Sequence, residues 1–449
     1  MKYIKIALLM LSTALLATSE VDTFSEVFSE AKTSGNIKYY YIQTDKDNTY
    51  SQTADTSANA NSLGGQLSFK TASLHGFRAA ATFMTTNPFL LDGAVDTSII
   101  GKDNGARGGN AEEGFSVLGE GYLAYSYTDF DFLYGRKVIK TPLIHAKEVR
   151  MLPSAVEGAF ATYTIDKQGL FTLAYIDKFK QRTSSRFINM QAHALGTNIE
   201  AVTGSKTGGV VMAGVDYKRE SYSFKVYDYF AQDFMNSLYL DTTYKINISN
   251  VKLTLAVQYI NQKSVGNAEK NLAKIGSLTG AKAISSNAFG LKAVATLKSA
   301  KVTLAYSNVL RDEKSHDSLV LPWDGTPLFT NMITSNDLFQ SIYGSSLKSD
   351  SIYIGGSQGV KFAYNQKFDS FGLDGFSTSL SYLYTTNDRV GFTNAQQDYN
   401  FVLAYKMDKV FSVALKGIWV TDNTGASADG RVNQLKLLSQ YRVIANYKF

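Results

Sequence analysis

The chain of 449 residues contains no cysteine, five prolines, four histidines and two tryptophans. Without cysteine it can form no disulfide and offers no thiol nucleophile or thiolate metal site. After the first 17 residues no run approaches the ~18 consecutive apolar residues that a membrane-spanning helix needs. The 45 basic and 39 acidic residues give a formal net charge of +6. The basic residues are scattered, whereas a nucleic-acid-binding surface clusters them, so no nucleic-acid partner is predicted.

The histidines offer no metal or catalytic pattern. All four lie in predicted turns or loops, and none has a ligand spacing such as H-E-x-x-H: His75, His145, His193 and His316. The glycine-rich run Gly101–Gly109 lacks the flanking strand and helix of a phosphate-binding loop. We therefore predict no cofactor, no metal and no enzymatic activity. The sequence leaves open one catalytic alternative, a hydrolase that pairs a serine or an aspartate with His145.

Aromatic residues are abundant, with 28 tyrosines and 27 phenylalanines. The segment Tyr441–Phe449 alternates apolar residues at odd positions with mostly polar residues at even positions, which is the pattern of a strand with one apolar face. A strand that closes a barrel in lipid has no free edge, and aromatic residues belong at its interfacial end. This segment is similar to the terminal signature by which the barrel-assembly machinery recognises outer-membrane barrels.

From Gly35 onward one unit repeats: an alternating run, a tight turn, another alternating run and a longer polar loop. Eighteen strands are predicted, the first at Asn36–Gln43 and the last at Gln434–Phe449. Short turns follow the even-numbered strands, and long connections follow most odd-numbered ones. This alternation predicts an all-β fold, a transmembrane antiparallel up-and-down β-barrel with short periplasmic turns and long external loops. A soluble jelly roll, the alternative, does not explain the asymmetry in loop length.

The sequence divides into three regions. Residues 1–17 combine Lys2 and Lys5 with a short apolar run and small residues up to Ala17, which predicts a signal peptide cleaved near Ala17. The alternative, a membrane anchor, needs a longer apolar run. Residues 18–34 are predicted to form a periplasmic lead-in with a short helix, too small for a plug domain. Residues 35–449 form the predicted barrel.

Charged residues inside predicted strands are expected to face the lumen, because Lys or Arg facing lipid costs ~2–4 kcal/mol at the bilayer midplane. Fixed charges in a narrow aqueous channel concentrate ions of opposite sign. The residues assigned to the lumen in this way are Arg78, Glu120, Lys178, Lys225, Lys252, Lys292, Lys416 and Arg442.

The third external loop, residues 137–155, is the most informative internal segment. Pro142 and Pro153 stiffen it, and apolar residues such as Leu143 and Met151 alternate with charged ones. An exposed loop has little use for so many apolar side chains. We therefore predict that this loop folds into the lumen, with its apolar residues against the wall and its charges toward the passage.

Several motifs resemble the OprD family of outer-membrane porins, including its epsilonproteobacterial branch. They are Leu63-Gly64-Gly65, Leu118–Leu123, Gly135-Arg136, Pro142, Arg150–Pro153 and Gly158. The resemblance implies an eighteen-stranded porin whose third loop narrows a channel with a basic wall, and a preference for small carboxylate-bearing nutrients. The pore-constriction residues that it implies are Arg150, Glu148, Lys147, His145, Arg136 and Glu120.

Together these features predict a porin in the outer membrane of a Gram-negative bacterium, which passes small hydrophilic solutes and ions by passive diffusion. Outer-membrane lipid and the barrel-assembly machinery are the expected partners, and a homotrimer is left open. The alternative function is an adhesin or structural barrel that acts through its external loops.

Overall fold

The computed structural model describes residues 19–46, 56–89, 114–146, 150–274, 283–333, 352–387, 396–422 and 438–449. Within these ranges the chain forms eighteen long strands: β1 Lys32–Lys46, β2 Thr56–Lys70, β3 Phe77–Pro88, β4 Phe115–Tyr127, β5 Phe130–Lys137, β6 Ala155–Ile165, β7 Gly169–Lys180, β8 Val210–Lys218, β9 Tyr222–Ala231, β10 Met235–Ile248, β11 Val251–Ser264, β12 Ser285–Thr296, β13 Ala300–Val309, β14 Ser357–Lys367, β15 Phe376–Asn387, β16 Gln396–Lys406, β17 Phe411–Asp422 and β18 Leu438–Lys448. Short helices are α1 Phe24–Ser29, α2 Met190–Leu195, α3 Ile199–Thr203 and α4 Ala268–Lys274.

Each strand pairs antiparallel with the next, and β1 pairs with β18 to close the barrel. The closing register sets Asn36 opposite Lys448 and Tyr41 opposite Val443. Beyond this ladder, the backbone N–H of Gly35 donates to the carbonyl of Phe449 at 2.9 Å, and Phe449 returns a bond of 3.1 Å. The predicted closed antiparallel barrel of eighteen strands is confirmed.

Side chains alternate between the two faces of the wall as the sequence pattern predicts. In β11, Leu255 and Val257 are 41% and 50% exposed, whereas Ala256 and Gln258 are 5% and 4% exposed. The exposed row is apolar and forms the outer surface of the barrel. The buried row faces the lumen, where it is covered by loops. The hydrophobic core is therefore inside the barrel, between the wall and the inserted loops.

The lead-in lies at the short-turn end. Glu20–Val21 pairs in parallel with Ser73–Leu74 in the connection between β2 and β3. The helix α1 begins with a capping box in which Thr23 and Glu26 satisfy each other's backbone N–H groups. Ala72 donates to the carbonyl of Val27 at 3.0 Å, which fixes the helix to the same connection. No helix in the described ranges is long and apolar enough to cross a membrane.

The assignment of the two faces predicts opposite outcomes for neighbouring substitutions. Leu304, in the middle of β13, is 54% exposed on the outer surface, and Thr303 faces the lumen. Leu304→Arg is expected to lower the free energy of unfolding in lipid vesicles by ~2–4 kcal/mol. The matched change Thr303→Arg is expected to cost much less, as measured by urea titration. Equal losses of unfolding free energy in the two variants would contradict the assignment of Leu304 to the outer face and Thr303 to the lumen.

Candidate functional site

The lumen is occupied by loops that leave the barrel at the end opposite the short turns. We number these connections from the chain start. Loop 3 comprises residues 138–154 between β5 and β6, loop 4 residues 181–209 between β7 and β8, and loop 7 residues 310–356 between β13 and β14. Loops 3 and 7 contain residues outside the described ranges, and the contacts below involve described residues alone.

Loop 3 contacts two opposite parts of the wall. Lys38 of β1 donates through Nζ to the carbonyls of Arg150 and Met151, at 3.2 and 2.9 Å. On the other side, the backbone N–H of Leu143 donates to the hydroxyl of Tyr229 in β9 at 3.3 Å. Strands β1 and β9 are eight positions apart in a barrel of eighteen. The described parts of loop 3 therefore lie across the interior.

Loop 7 also folds inward and is held by polar side chains of the wall. The amide of Gln262 in β11 makes two bonds to the backbone of Val320, at 2.7 and 2.9 Å. Gln258 donates to the carbonyl of Pro327 at 2.7 Å. Farther around the barrel, Lys361 of β14 donates to the carbonyl of Asn331 at 2.6 Å. These wall side chains replace the water that the loop backbone would otherwise bind.

Three loops meet at Asp324. Its carboxylate forms an ion pair with Arg182 of loop 4 and accepts a hydrogen bond from the hydroxyl of Ser154 at the end of loop 3. The side chains of Arg182 and Asp324 are 11% and 8% exposed. Beside this junction, His145 donates its backbone N–H to the carbonyl of Trp323 at 3.1 Å. The indole of Trp323 donates to the carbonyl of Met190 at 3.0 Å.

A basic patch lies where loop 3 meets strands β17, β18 and β1. Lys416 and Arg442 are directly opposite each other on neighbouring strands. Lys38, Arg150 and Arg442 all lie close enough to Lys416 to act on it electrostatically. Arg442 is held by Gln440, whose Oε1 accepts from its Nε at 2.7 Å, and it is 1% exposed. The patch therefore places the half-buried side chain of Lys416 among three other cationic side chains.

A second basic row follows the wall from β9 to β14. Lys225 forms an ion pair with Asp216 at 3.3 Å. Lys292 places its ammonium group 3.9 Å from the ring centre of Phe329 in loop 7, a cation–π contact. Lys361 follows two strands later, bonded to loop 7 as described above. Both basic regions therefore border the inserted loops.

Comparison with known proteins identifies this architecture. A family model described as outer membrane porin, OprD family, matches residues 26–449. The chain belongs to the OprD family of outer-membrane porins. It is accordingly a channel-forming protein of the Gram-negative outer membrane, and solutes pass through its lumen. A search of curated protein sequences finds no match to the chain.

Solved structures from Pseudomonas aeruginosa share the fold of this porin. OccK8 (OprE) has 16% sequence identity and a TM-score of 0.73. OpdK, solved with vanillate, has 14% identity and a TM-score of 0.70. OccK2 (OpdF), solved in complex with glucuronate, has 12% identity and a TM-score of 0.70. In each case the alignment covers 94% of this chain and 99% of the other.

Arg136, a predicted constriction residue, and Lys178, a predicted lumen residue, face outward in this porin. Both pair with Glu157, which has the same outward orientation as Tyr163 on β6. Arg136 also packs over the ring of Phe187, 4.3 Å from its centre. Lys178 differs from the simple alternation because the register of β7 shifts at Asp177. The extra residue reverses the orientation of the side chains that follow it.

Other predicted residues form local structure inside the barrel. Arg78 forms an ion pair with Asp131 at 3.0 Å. Glu120 accepts from Thr82 at 2.9 Å and from the backbone N–H of Val138 at 3.0 Å, so it fixes the start of loop 3. Lys252 is exposed at the short-turn end of β11. The described parts of loop 3 bring Arg150 to the basic patch, whereas Lys147 and Glu148 lie outside the described residues.

The sequence interpretation missed Lys38, Lys361 and the inward folding of loop 7. Strand alternation contained the signal for both lysines, because Tyr39 and Val360 mark the outward positions beside them. The sequence of loop 7 gives a weaker signal, an apolar stretch at Leu319–Leu321 followed by Trp323. All four of these residues are buried.

Breaking the junction of the three loops is expected to loosen the aperture without unfolding the barrel. Asp324→Asn keeps a residue that tolerates the left-handed backbone at this position (φ 61°) but removes the partner charge of Arg182. Loss of one partner of a buried pair costs ~3–5 kcal/mol. We expect larger fluctuations of single-channel current in planar bilayers.

The matched control for this substitution is Glu313→Gln in the same loop. Glu313 pairs with Arg311, but its side chain is 74% exposed, and such surface pairs contribute ~0–1 kcal/mol. Its channels are expected to behave as wild type. Quiet, unchanged currents from Asp324→Asn would contradict a role of the junction in fixing the loops.

Acidification is expected to weaken the packing of α2 on loop 7. His193 contacts the ring of Phe179, with centres 4.8 Å apart, and hydrogen-bonds to the backbone of Pro322. Burial lowers the pKa of His193 and outweighs the Asp324 carboxylate, which acts in the opposite direction. Below a pH of about 6.5, the ordinary pKa of histidine, His193 takes up a proton when the helix is released but not when it is packed. The packing of α2 therefore weakens as the pH falls.

Trp323 reports on this packing when Trp419 is replaced by Phe. Its fluorescence is expected to change between pH of about 7.5 and 5, and His193→Phe should abolish the change because the ring stays neutral. The control His75→Asn, a change at an exposed histidine, should still show the fluorescence change. An identical response in His193→Phe would show that another group titrates.

Proposed function

We propose that this porin favours small hydrophilic solutes that carry a carboxylate, and that loops 3 and 7 form its constriction. The observation that carries the proposal is the basic patch of Lys38, Arg150, Lys416 and Arg442 beside loop 3. An anion that enters the lumen is attracted to this wall, and the loops restrict its size. No energy coupling or cofactor is required for passive diffusion.

The size of the electrostatic effect is sufficient for selectivity. A unit charge ~4 Å away is worth ~1 kcal/mol in bulk water, about fivefold in local concentration, and more where low-dielectric walls exclude water. The lysines of the second row, Lys225, Lys292 and Lys361, extend the positive wall toward loop 7. Asp216 and Asp241 offset part of this charge, so a graded preference is expected rather than strict exclusion of cations.

The structural neighbours support the same class of solute. Vanillate and glucuronate, present in the OpdK and OccK2 structures, each carry one carboxylate on a small ring. At identities of 14% and 12%, the likeness to these two structures is one of fold. The shared fold supports the class of ligand, and the basic patch supplies a reason for it in this sequence.

Export and assembly remain predictions. The proposed signal peptide, residues 1–17, lies outside the described residues, and the lead-in at the short-turn end is proposed to rest at the periplasmic mouth. Recognition of Tyr441–Phe449 by the barrel-assembly machinery and association into a homotrimer also remain predictions.

The expected anion preference can be measured by reversal potential in a salt gradient across a planar bilayer. Lys416→Gln is expected to lower the anion-to-cation permeability ratio about two- to fivefold, because it removes one positive charge from the basic patch. Lys167→Gln, a matched change at an exposed residue of a short turn, should leave the ratio unchanged.

The preference for solutes with a carboxylate is tested by comparing the uptake of glucuronate and of glucose into proteoliposomes that contain the porin. The two solutes have similar size and differ by one charged group, so wild-type channels should take up glucuronate faster and Lys416→Gln should narrow the difference. Equal uptake by the wild type would overturn the proposed preference. The complete absence of steady current would favour an adhesin with a closed lumen.

A further inference from the structure

A compact group of polar residues lies on the inner wall where β15 and β16 approach the long loops. The side chains of Thr385 and Asp398 are 1% exposed, Gln396 is 3% exposed and Asn400 is 6% exposed. All four occupy inward-facing positions, since their strand neighbours Tyr384 and Tyr399 are on the outer surface. This group is separate from the basic patch and from the predicted loop residues.

Three oxygen atoms in this group have no hydrogen-bond partner among the described residues. Gln396 donates through Nε2 to Oδ1 of Asp398 at 3.0 Å. That bond leaves Oε1 of Gln396, Oδ2 of Asp398 and Oγ1 of Thr385 buried and unpaired. A buried polar group that makes no hydrogen bond is energetically unfavourable. Several such groups together, on adjacent positions, are typical of a place where a water or an ion binds.

The strand register places these oxygens close together. Thr385 is directly opposite Gln396 on the neighbouring strand, and such pairs have Cβ atoms ~4.5–5.5 Å apart. Asp398 follows two residues after Gln396 on the same face. A single ion between the side chains can therefore contact all three residues.

In its charged form, Asp398 is stabilised by a nearby positive charge. In the described part of the chain no basic side chain forms an ion pair with it, and burying an isolated carboxylate is costly. Lys361 is a described cation that acts on its charge, and the backbone of Lys361 lies two strands away, about 10 Å in a sheet with strands ~4.8 Å apart. Its ammonium group is bonded to the carbonyl of Asn331 instead.

We propose that Thr385, Gln396 and Asp398 bind a hard cation of the Ca²⁺ type. A carboxylate, an amide carbonyl and a hydroxyl are oxygen donors that such ions prefer, and water completes their coordination. Asp398 is the one acidic residue of the three, and the neutral oxygens of Thr385 and Gln396 supply the rest of the site. In agreement, the described residues contain no cluster of three acidic, histidine or cysteine side chains. A bound water would also pair with the Nδ2 of Asn400, which has no hydrogen-bond partner in the part of the chain that the structure describes.

The bound ion would stabilise the wall beside loop 7. Asn400 accepts a hydrogen bond from the backbone N–H of Ile333 at 3.0 Å, so the polar group is connected directly to the inserted loop. With one carboxylate the affinity is expected to be modest, with a Kd of ~10⁻⁴–10⁻³ M, the range of extracellular Ca²⁺ modules.

The proposal is tested by isothermal titration of CaCl₂ into the full-length porin, refolded in detergent without lipopolysaccharide and treated with chelator. The wild type is expected to bind one Ca²⁺ per chain. Asp398→Asn should abolish binding, and Thr385→Val, which preserves shape but removes the hydroxyl, should weaken it several-fold. The control Asp166→Asn, at an exposed turn, should bind as wild type.

Folding of each variant is checked by far-ultraviolet circular dichroism and by the heat-dependent shift in gel mobility that folded barrels show. No binding to the wild type at about 10 mM CaCl₂ would overturn the proposal, as would equal binding by a folded Asp398→Asn. If Asp398→Asn does not fold, Thr385→Val decides, because unchanged affinity in that variant would exclude the site. These outcomes do not depend on anion preference.

Discussion

The structure depends on pairing every backbone polar group in a medium that contains no water. In the hydrocarbon core an unpaired N–H or C=O costs several kcal/mol, so an open sheet edge is excluded and the first strand must meet the last. Here β1 and β18 meet along their length, and Gly35 and Phe449 extend the ladder. A Cβ at Gly35 would lie 2.5 Å from the carbonyl oxygen of Gln66 and 2.7 Å from the ring of Phe449. Glycine therefore allows closure at this point.

Closure creates the functional interior. Because side chains alternate, an outer surface compatible with lipid leaves every second residue facing inward, and these inward residues can be polar. Gln258, Gln262 and Asn400 use that freedom to bind the backbone of loop 7. The loop thereby satisfies its own polar groups within the barrel. The wall and the loops form one continuous structure, which is why the aperture can have a defined shape.

The strands were predictable from sequence because a period of two is a local signal, and each predicted strand overlaps an observed one. The orientation of individual charges was less predictable. The shift at Asp177 reverses the orientation of Lys178, and nothing in the composition of β7 announces it. The inward path of loop 7 depends on contacts with strands about 60 to 70 residues away, such as Gln262 to Val320 and Asn400 to Ile333. Contacts of this range leave no periodic pattern.

The charged side chains of the wall differ in whether an ion pair neutralises them, and this difference explains which of them can act on a solute. Arg78 is neutralised by Asp131, and Arg136 and Lys178 are balanced by Glu157 and Asp177, so these groups have little net field. Lys416 and Arg442, in contrast, carry like charges at directly opposite positions, an arrangement that destabilises a sheet. In the described chain no carboxylate forms an ion pair with Lys416, and Arg150 adds a further positive charge from loop 3. A concentration of like charge that costs stability is consistent with a function outside folding, and the proposed attraction of anions into the passage is such a function.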